Sequence, residues 1–124
     1  MFELDVKEAN IVGFVLLKTL EGVEYYVDIP DVPIEPDDRF VVYGLSREEI
    51  NLMMSVVDDL DNACNGLLDL GDVDYFTGEK LVALNKWLEI NCNSENQKLN
   101  TLLLKLKEFV EQAISLGTGV IITL

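Results

Sequence analysis

Histidine is missing altogether from this 124-residue chain, so the side chain that most often moves protons near neutral pH is not available to it. The Ser-His-Asp triad and the Cys-His pair go with it. Cysteine occurs only twice, as Cys64 and Cys92, without C-x-x-C spacing, and a zinc site needs histidines or further thiols. Nothing in that pair points to an oxidising compartment, so two free buried thiols in a cytoplasmic protein are expected. Bases are scarce as well: 9 Lys and Arg stand against 23 Asp and Glu, giving a net charge of −14 and a pI near 4.1. DNA, RNA and anionic membranes need a basic footprint, so direct binding to any of them is not expected. Long hydrophobic runs are also lacking. The longest, Ile11 to Leu17, is far short of a membrane span, and Met1-Phe2-Glu3-Leu4-Asp5 lacks the basic start of a signal peptide.

What is present is enough for a core. Hydrophobic residues make up 49% of the chain and the mean hydropathy is +0.21, which excludes intrinsic disorder and fits a single globular domain over residues 1–124. The acid is not spread evenly. Between Glu21 and Glu79 there are 16 acidic residues against only Arg39 and Arg47, whereas the remainder holds 7 acids and 7 lysines. Concentrated like charge costs stability through self-repulsion, and it is better tolerated where a partner makes use of it. A merely solvated face is the alternative.

Periodicity gives an α+β reading. Phe2, Leu4 and Val6 alternate with polar residues as a half-buried strand does, and Ile11 to Leu17 reads as a strand buried on both faces. A turn at Glu21-Gly22 then leads into a strand over Val23–Ile29, the two forming a hairpin. Pro30, Pro33 and Pro36 mark a loop, and Arg39 to Tyr43 is a short strand ended by Gly44. Ser46 and Glu49 have capping-box spacing, followed by one helix carrying Ile50, Met53, Met54, Val57, Leu60 and Cys64 on a stripe. Asp69 to Glu79 reads as an acidic connecting loop. Thr77 caps a second helix with Leu81, Leu84, Trp87 and Leu88, and Ser94 with Gln97 opens a third that ends at Gly117. The apolar run Val120 to Leu124 would be a hazard at an open edge, so it is placed inside the sheet beside Ile11–Leu17. The expected architecture is an N-terminal antiparallel sheet with about three helices on one face and a C-terminal strand returning to the sheet.

Chemical motifs are thin. Neither Asp58/Asp59/Asp61 nor Asp69/Asp72/Asp74 fits an EF-hand loop, since the positions that need a ligand or glycine hold Ala63, Cys64, Gly71, Val73 or Phe76. Gly117-Thr118-Gly119 follows a helix and precedes a strand, the reverse of a phosphate loop. Paired carboxylates for glycoside chemistry lack an aromatic sugar platform beyond Tyr75 and Phe76. No catalytic residue, metal or cofactor is expected, and the chain does not read as an enzyme.

The expected site is therefore a partner-binding face: Asp58, Asp59 and Asp61 at a helix, with Asp69, Asp72, Asp74 and Glu79 on the next segment. Tyr75 and Phe76 are either aromatic anchors within it or a plug that pins the loop to the core. Such a field of carboxylates suits the Lys- and Arg-lined sites of nucleases and steers association. In its small single domain, its concentrated acid over Asp58–Glu79 and its lack of catalytic residues, the chain resembles the small acidic cytosolic immunity proteins of bacterial toxin and contact-dependent growth inhibition systems. The resemblance is one of general character, with no barstar motif, so no family residue is carried across. It implies a stoichiometric inhibitor that binds a basic, nuclease-type toxin domain through protein–protein contact. Two other readings stand beside it: a DNA-mimic anti-restriction or anti-CRISPR protein, and a non-catalytic structural or oligomeric protein. Monomer and homodimer are both open.

Overall fold

The computed structural model describes residues 12–26, 28–32, 37–66, 68 and 72–124. The Phe2–Val6 segment and Asp69 lie outside them. In chain order the elements are β1 (Gly13–Leu17), β2 (Tyr25–Tyr26), β3 (Ile29–Pro30), β4 (Phe40–Gly44), α1 (Arg47–Met54), α2 (Val57–Cys64), β5 (Val73–Thr77), α3 (Gly78–Asn91), α4 (Gln97–Leu116) and β6 (Gly119–Thr123). The fold is α+β, with a four-stranded antiparallel sheet in the order β4-β1-β6-β5.

β1 is buried along its whole length because both of its faces are covered. Phe14 and Leu16 join the main core with Phe76, Val120, Ile122 and the apolar stripes of the helices. Val15 and Leu17 point the other way, onto Phe40 and Ile121, beneath Val23, Val32 and Tyr75 from the strands and loops outside the helical layer. β6 lies beside β1 as expected, with Val15 opposite Ile121. Burying this β-branched run between two strands satisfies its backbone and removes it from solvent.

Several elements differ from the sequence reading. Val23–Ile29 does not form one strand hairpinned to β1; instead β2 and β3 pair with each other, Tyr25 opposite Pro30. A strand has two edges, and those of β1 are taken by β4 and β6. Arg39 fixes the diverted segment, its guanidinium donating to the Gly22 carbonyl at 2.7 Å and to Asp37. The single helix expected from Ser46 to Cys64 is two, α1 and α2, because Ser55 bonds back through both its N–H and its hydroxyl to the Leu52 carbonyl and Val56 leaves helical geometry. Four helices are therefore described rather than three. The expected Ser94–Gln97 box gives way to an Asn96 cap, whose side chain accepts the Leu99 N–H at 3.1 Å while Ser94 Oγ accepts the Asn96 N–H. The largest correction falls on the supposed loop: residues 73–77 are the edge strand β5, with Phe76 opposite Val120.

The Ser46–Glu49 capping box is present, and Glu49 also accepts the Tyr43 hydroxyl at 2.7 Å. The Ser46 N–H, followed by the Tyr43 hydroxyl, holds the Glu49 carboxyl below its ordinary value of 4.5. Ser46→Ala is expected to lower stability by about 0.5–2 kcal/mol in urea denaturation. Because the folded-state value is depressed, the contribution of Glu49 is full above pH 4.5 and is lost as pH falls through the lowered value. Glu49→Gln should accordingly flatten the acid limb of a stability–pH curve.

Candidate functional site

α2 buries Val57, Leu60 and Cys64, and that spacing leaves Asp58 and Asp59 exposed with Asp61 half-buried at the margin. Their surroundings differ. Asp58 has no hydrogen-bond or ion-pair partner among the described residues. Asp59 accepts the indole N–H of Trp87 at 2.8 Å, tying α2 to α3. Asp61 accepts the Leu68 N–H at 3.1 Å and so closes the turn after the helix. Burial pushes the Asp61 carboxyl up, and the neighbouring charges of Asp74 and Asp58 add to this against the pull of the Leu68 N–H and Lys80. The same surroundings, burial first and then Asp61, raise the Cys64 thiol to about 11, so it is held as an inert thiol.

β5 brings Asp74 to this group by an unusual route. Residues 72, 74 and 76 share one side of the strand, and that side faces the helices. Phe76 takes its place in the core with no exposure at all, and Asp74 beside it is only 7% exposed. Asp74 Oδ1 accepts both the Tyr75 N–H at 2.9 Å and the Lys80 ammonium at 2.6 Å. Lys80 also lies 4.8 Å above the Phe76 ring. Asp72, just before β5, and Glu79, just after it, remain exposed. Glu79 is in the first turn of α3, where its charge suits the helix dipole.

The structure therefore brings Asp61 within electrostatic reach of both Asp58 and Asp74, with Asp59 on the same helix as Asp58 and Asp72 just before β5. It does not bring the aromatic pair to that face. Phe76 is the plug of the two readings and is out of a partner's reach. Tyr75 lies on the opposite face of the sheet, its ring crossing Gly119, where a Cβ would approach to 2.6 Å. There it meets the half-exposed Tyr25 edge to face, with ring centres 6.4 Å apart. Lys80 was missed because the acid-rich stretch ends one residue before it, and Trp87 because nothing local ties an indole to a carboxylate 28 residues away.

An open groove of about 750 Å³ lies between the start of α3 and the end of α4, lined by Thr77, Glu79, Val82, Lys86, Ile114 and Gly117 among others. The Thr77 hydroxyl is committed to the Thr118 carbonyl and the Thr118 hydroxyl to that of Leu17, so neither is placed as a nucleophile. Among the described residues no group of three or more His, Cys, Asp or Glu is arranged to hold a metal ion, and no helix is long and apolar enough to cross a membrane. Comparison with family models, curated proteins and solved structures finds no match to this chain.

The acids of this face separate by role. Asp74→Ala deprives the Lys80 ammonium and the Tyr75 N–H of a buried acceptor and should cost about 1–3 kcal/mol in urea denaturation. Asp58→Asn, at an exposed position without a bonded partner among the described residues, should stay within about 0.5 kcal/mol of wild type.

Proposed function

We propose that the protein is a stoichiometric inhibitor or binding module whose α2–β5–α3 acidic face docks a basic protein, in the manner of an immunity protein that neutralises a nuclease-type toxin. The observation that carries this reading is the distribution of compensated charge. Arg39, Lys80, Lys98, Lys105 and Lys107 are each engaged with an acid, at Asp37, Asp74, Glu48, Glu108 and Glu111. Asp58, Asp59, Asp72 and Glu79 are exposed and form no salt bridge among the described residues. Asp58 and Asp59 stand on α2 and Glu79 on α3, and the Asp72 carbonyl just before β5 accepts the Leu124 N–H, so the field they make is held in place before a partner arrives. Asp58 and Asp74 add to the effect of burial in raising the Asp61 carboxyl, and a cation arriving beside exposed Asp58 would offset its part.

A compact cluster of this kind favours a protein partner over mimicry of DNA, which calls for acids at phosphate-like intervals along an extended surface. The free thiols of Cys64 and Cys92 accord with a reducing, cytoplasmic setting. In this reading the protein carries no catalysis of its own.

The test is affinity capture from the source cells at low and high salt, with wild type beside the combined Asp58→Asn, Asp72→Asn, Glu79→Gln variant. A basic protein retained at equal stoichiometry by wild type should be lost or at least tenfold weaker with the variant, most sharply at low salt. Equal retention by both would remove this face from the interface.

A further inference from the structure

α3 is apolar on two sides. Leu81, Leu84, Trp87 and Leu88 turn inward and join the main core. A helix packed on a domain by one face needs only that stripe. Yet Val82 and Ile90 are 44% and 73% exposed, and Ile114, across from Val82 at the end of α4, is 41% exposed. By helical spacing Glu79, Val82, Ala83, Lys86 and Ile90 share the outer side of α3. The first four of them, with Ile114, line the groove of about 750 Å³ between the start of α3 and the end of α4.

Charge on this stripe selects what covers it. Lys86 is exposed and, unlike Lys80, Lys98, Lys105 and Lys107, forms no salt bridge among the described residues. Glu79, also exposed, stands seven residues before it, at nearly the same place on the helix surface two turns away. If two copies of α3 pack antiparallel about a two-fold axis passing between Val82 and Ala83, residue 79 of each lies opposite residue 86 of the other. Glu79 then meets Lys86 twice. Val82 meets Ala83 twice, and the small Ala83 side chain lets the helices approach closely. Parallel packing in register would set like charge beside like. The stripe is therefore complementary to itself, and in one orientation only.

We propose that a second copy of the chain covers this groove, α3 packing antiparallel on α3, with Val82 and Ala83 at the centre and a Glu79–Lys86 pair at each end. The net charge of −14 opposes self-association at long range, but exposed charges more than about 8 Å apart are largely screened at physiological ionic strength. Around the groove the signs are close to even. Lys86 stands with Glu79, and Lys107 of α4 lies within electrostatic reach of Glu89 and Glu111. The pairing rests on α3 and its groove and not on the function proposed above. Glu79 alone belongs to both faces; in the dimer it answers Lys86, and Asp58, Asp59 and Asp72 carry the acidic face.

The test is sedimentation equilibrium of the full chain, with circular dichroism to show that each variant is folded. Wild type should dimerise reversibly. Glu79→Lys and Lys86→Glu each turn both end pairs into like-charge contacts, and each should weaken the dimer about tenfold or more. The two single variants mixed together should recover a heterodimer, because every end pair is then opposite in sign, and the double variant should recover a homodimer. Val82→Glu puts a charge at the centre from a position outside the core, and should leave a folded monomer. A wild type that stays monomeric up to millimolar concentration overturns the proposal. So does a dimer that survives Val82→Glu and both single charge changes, since its interface lies elsewhere. Loss of the dimer in the single variants without recovery in the mixture or the double variant overturns the antiparallel pairing.

Discussion

β6, like β1, is bonded along both edges, to β1 on one side and to β5 on the other. Val120 and Ile122 pack against the helices while Ile121 packs on the opposite face, so its burial is two-sided. The position of β5, and through it of Asp72, Asp74 and the start of α3, depends on this contact between the last residues and the middle of the chain. Thr118 reinforces the join at its entry, donating to the Leu17 carbonyl and accepting from Thr77. The acidic face is thus a consequence of long-range pairing rather than of a local loop.

Within that frame the carboxylates do different work. Asp59, Asp61 and Asp74 each hold a specific donor: the Trp87 indole, the Leu68 N–H, and the Tyr75 N–H together with Lys80. Acids of this kind position the groups around them, and their loss leaves donors unsatisfied. Asp58, Asp72 and Glu79 hold no comparable donor with their carboxylates among the described residues and contribute field. The exposed pairs on α4, Lys105–Glu108 and Lys107–Glu111, are worth little to stability but neutralise that side of the molecule. Charge asymmetry is therefore sharper in three dimensions than the total of −14 conveys.

Much of the fold was legible in local pattern. The seven apolar positions around Phe14, the capping box at Ser46, the stripe from Leu99 to Ala113 and the terminal β-branched run each declare an element by spacing alone, because the periods of strand and helix are properties of the backbone. The excess of acid between Glu21 and Glu79 was equally plain. The place of β6 beside β1 was legible too, but the second neighbour of β1 was not, since β1 can accept only two and β4 displaces the Val23–Ile29 segment. Nor was the inward turn of Asp74: an acid beside Phe76 breaks the apolar alternation, and only Lys80 and the Tyr75 N–H, delivered by the folded chain, make its burial affordable. The sequence by itself determined the elements and the sign of the charge. Tertiary structure alone decided which carboxylates are anchored and which are left exposed, because a charge is satisfied or unsatisfied only by what the fold places beside it.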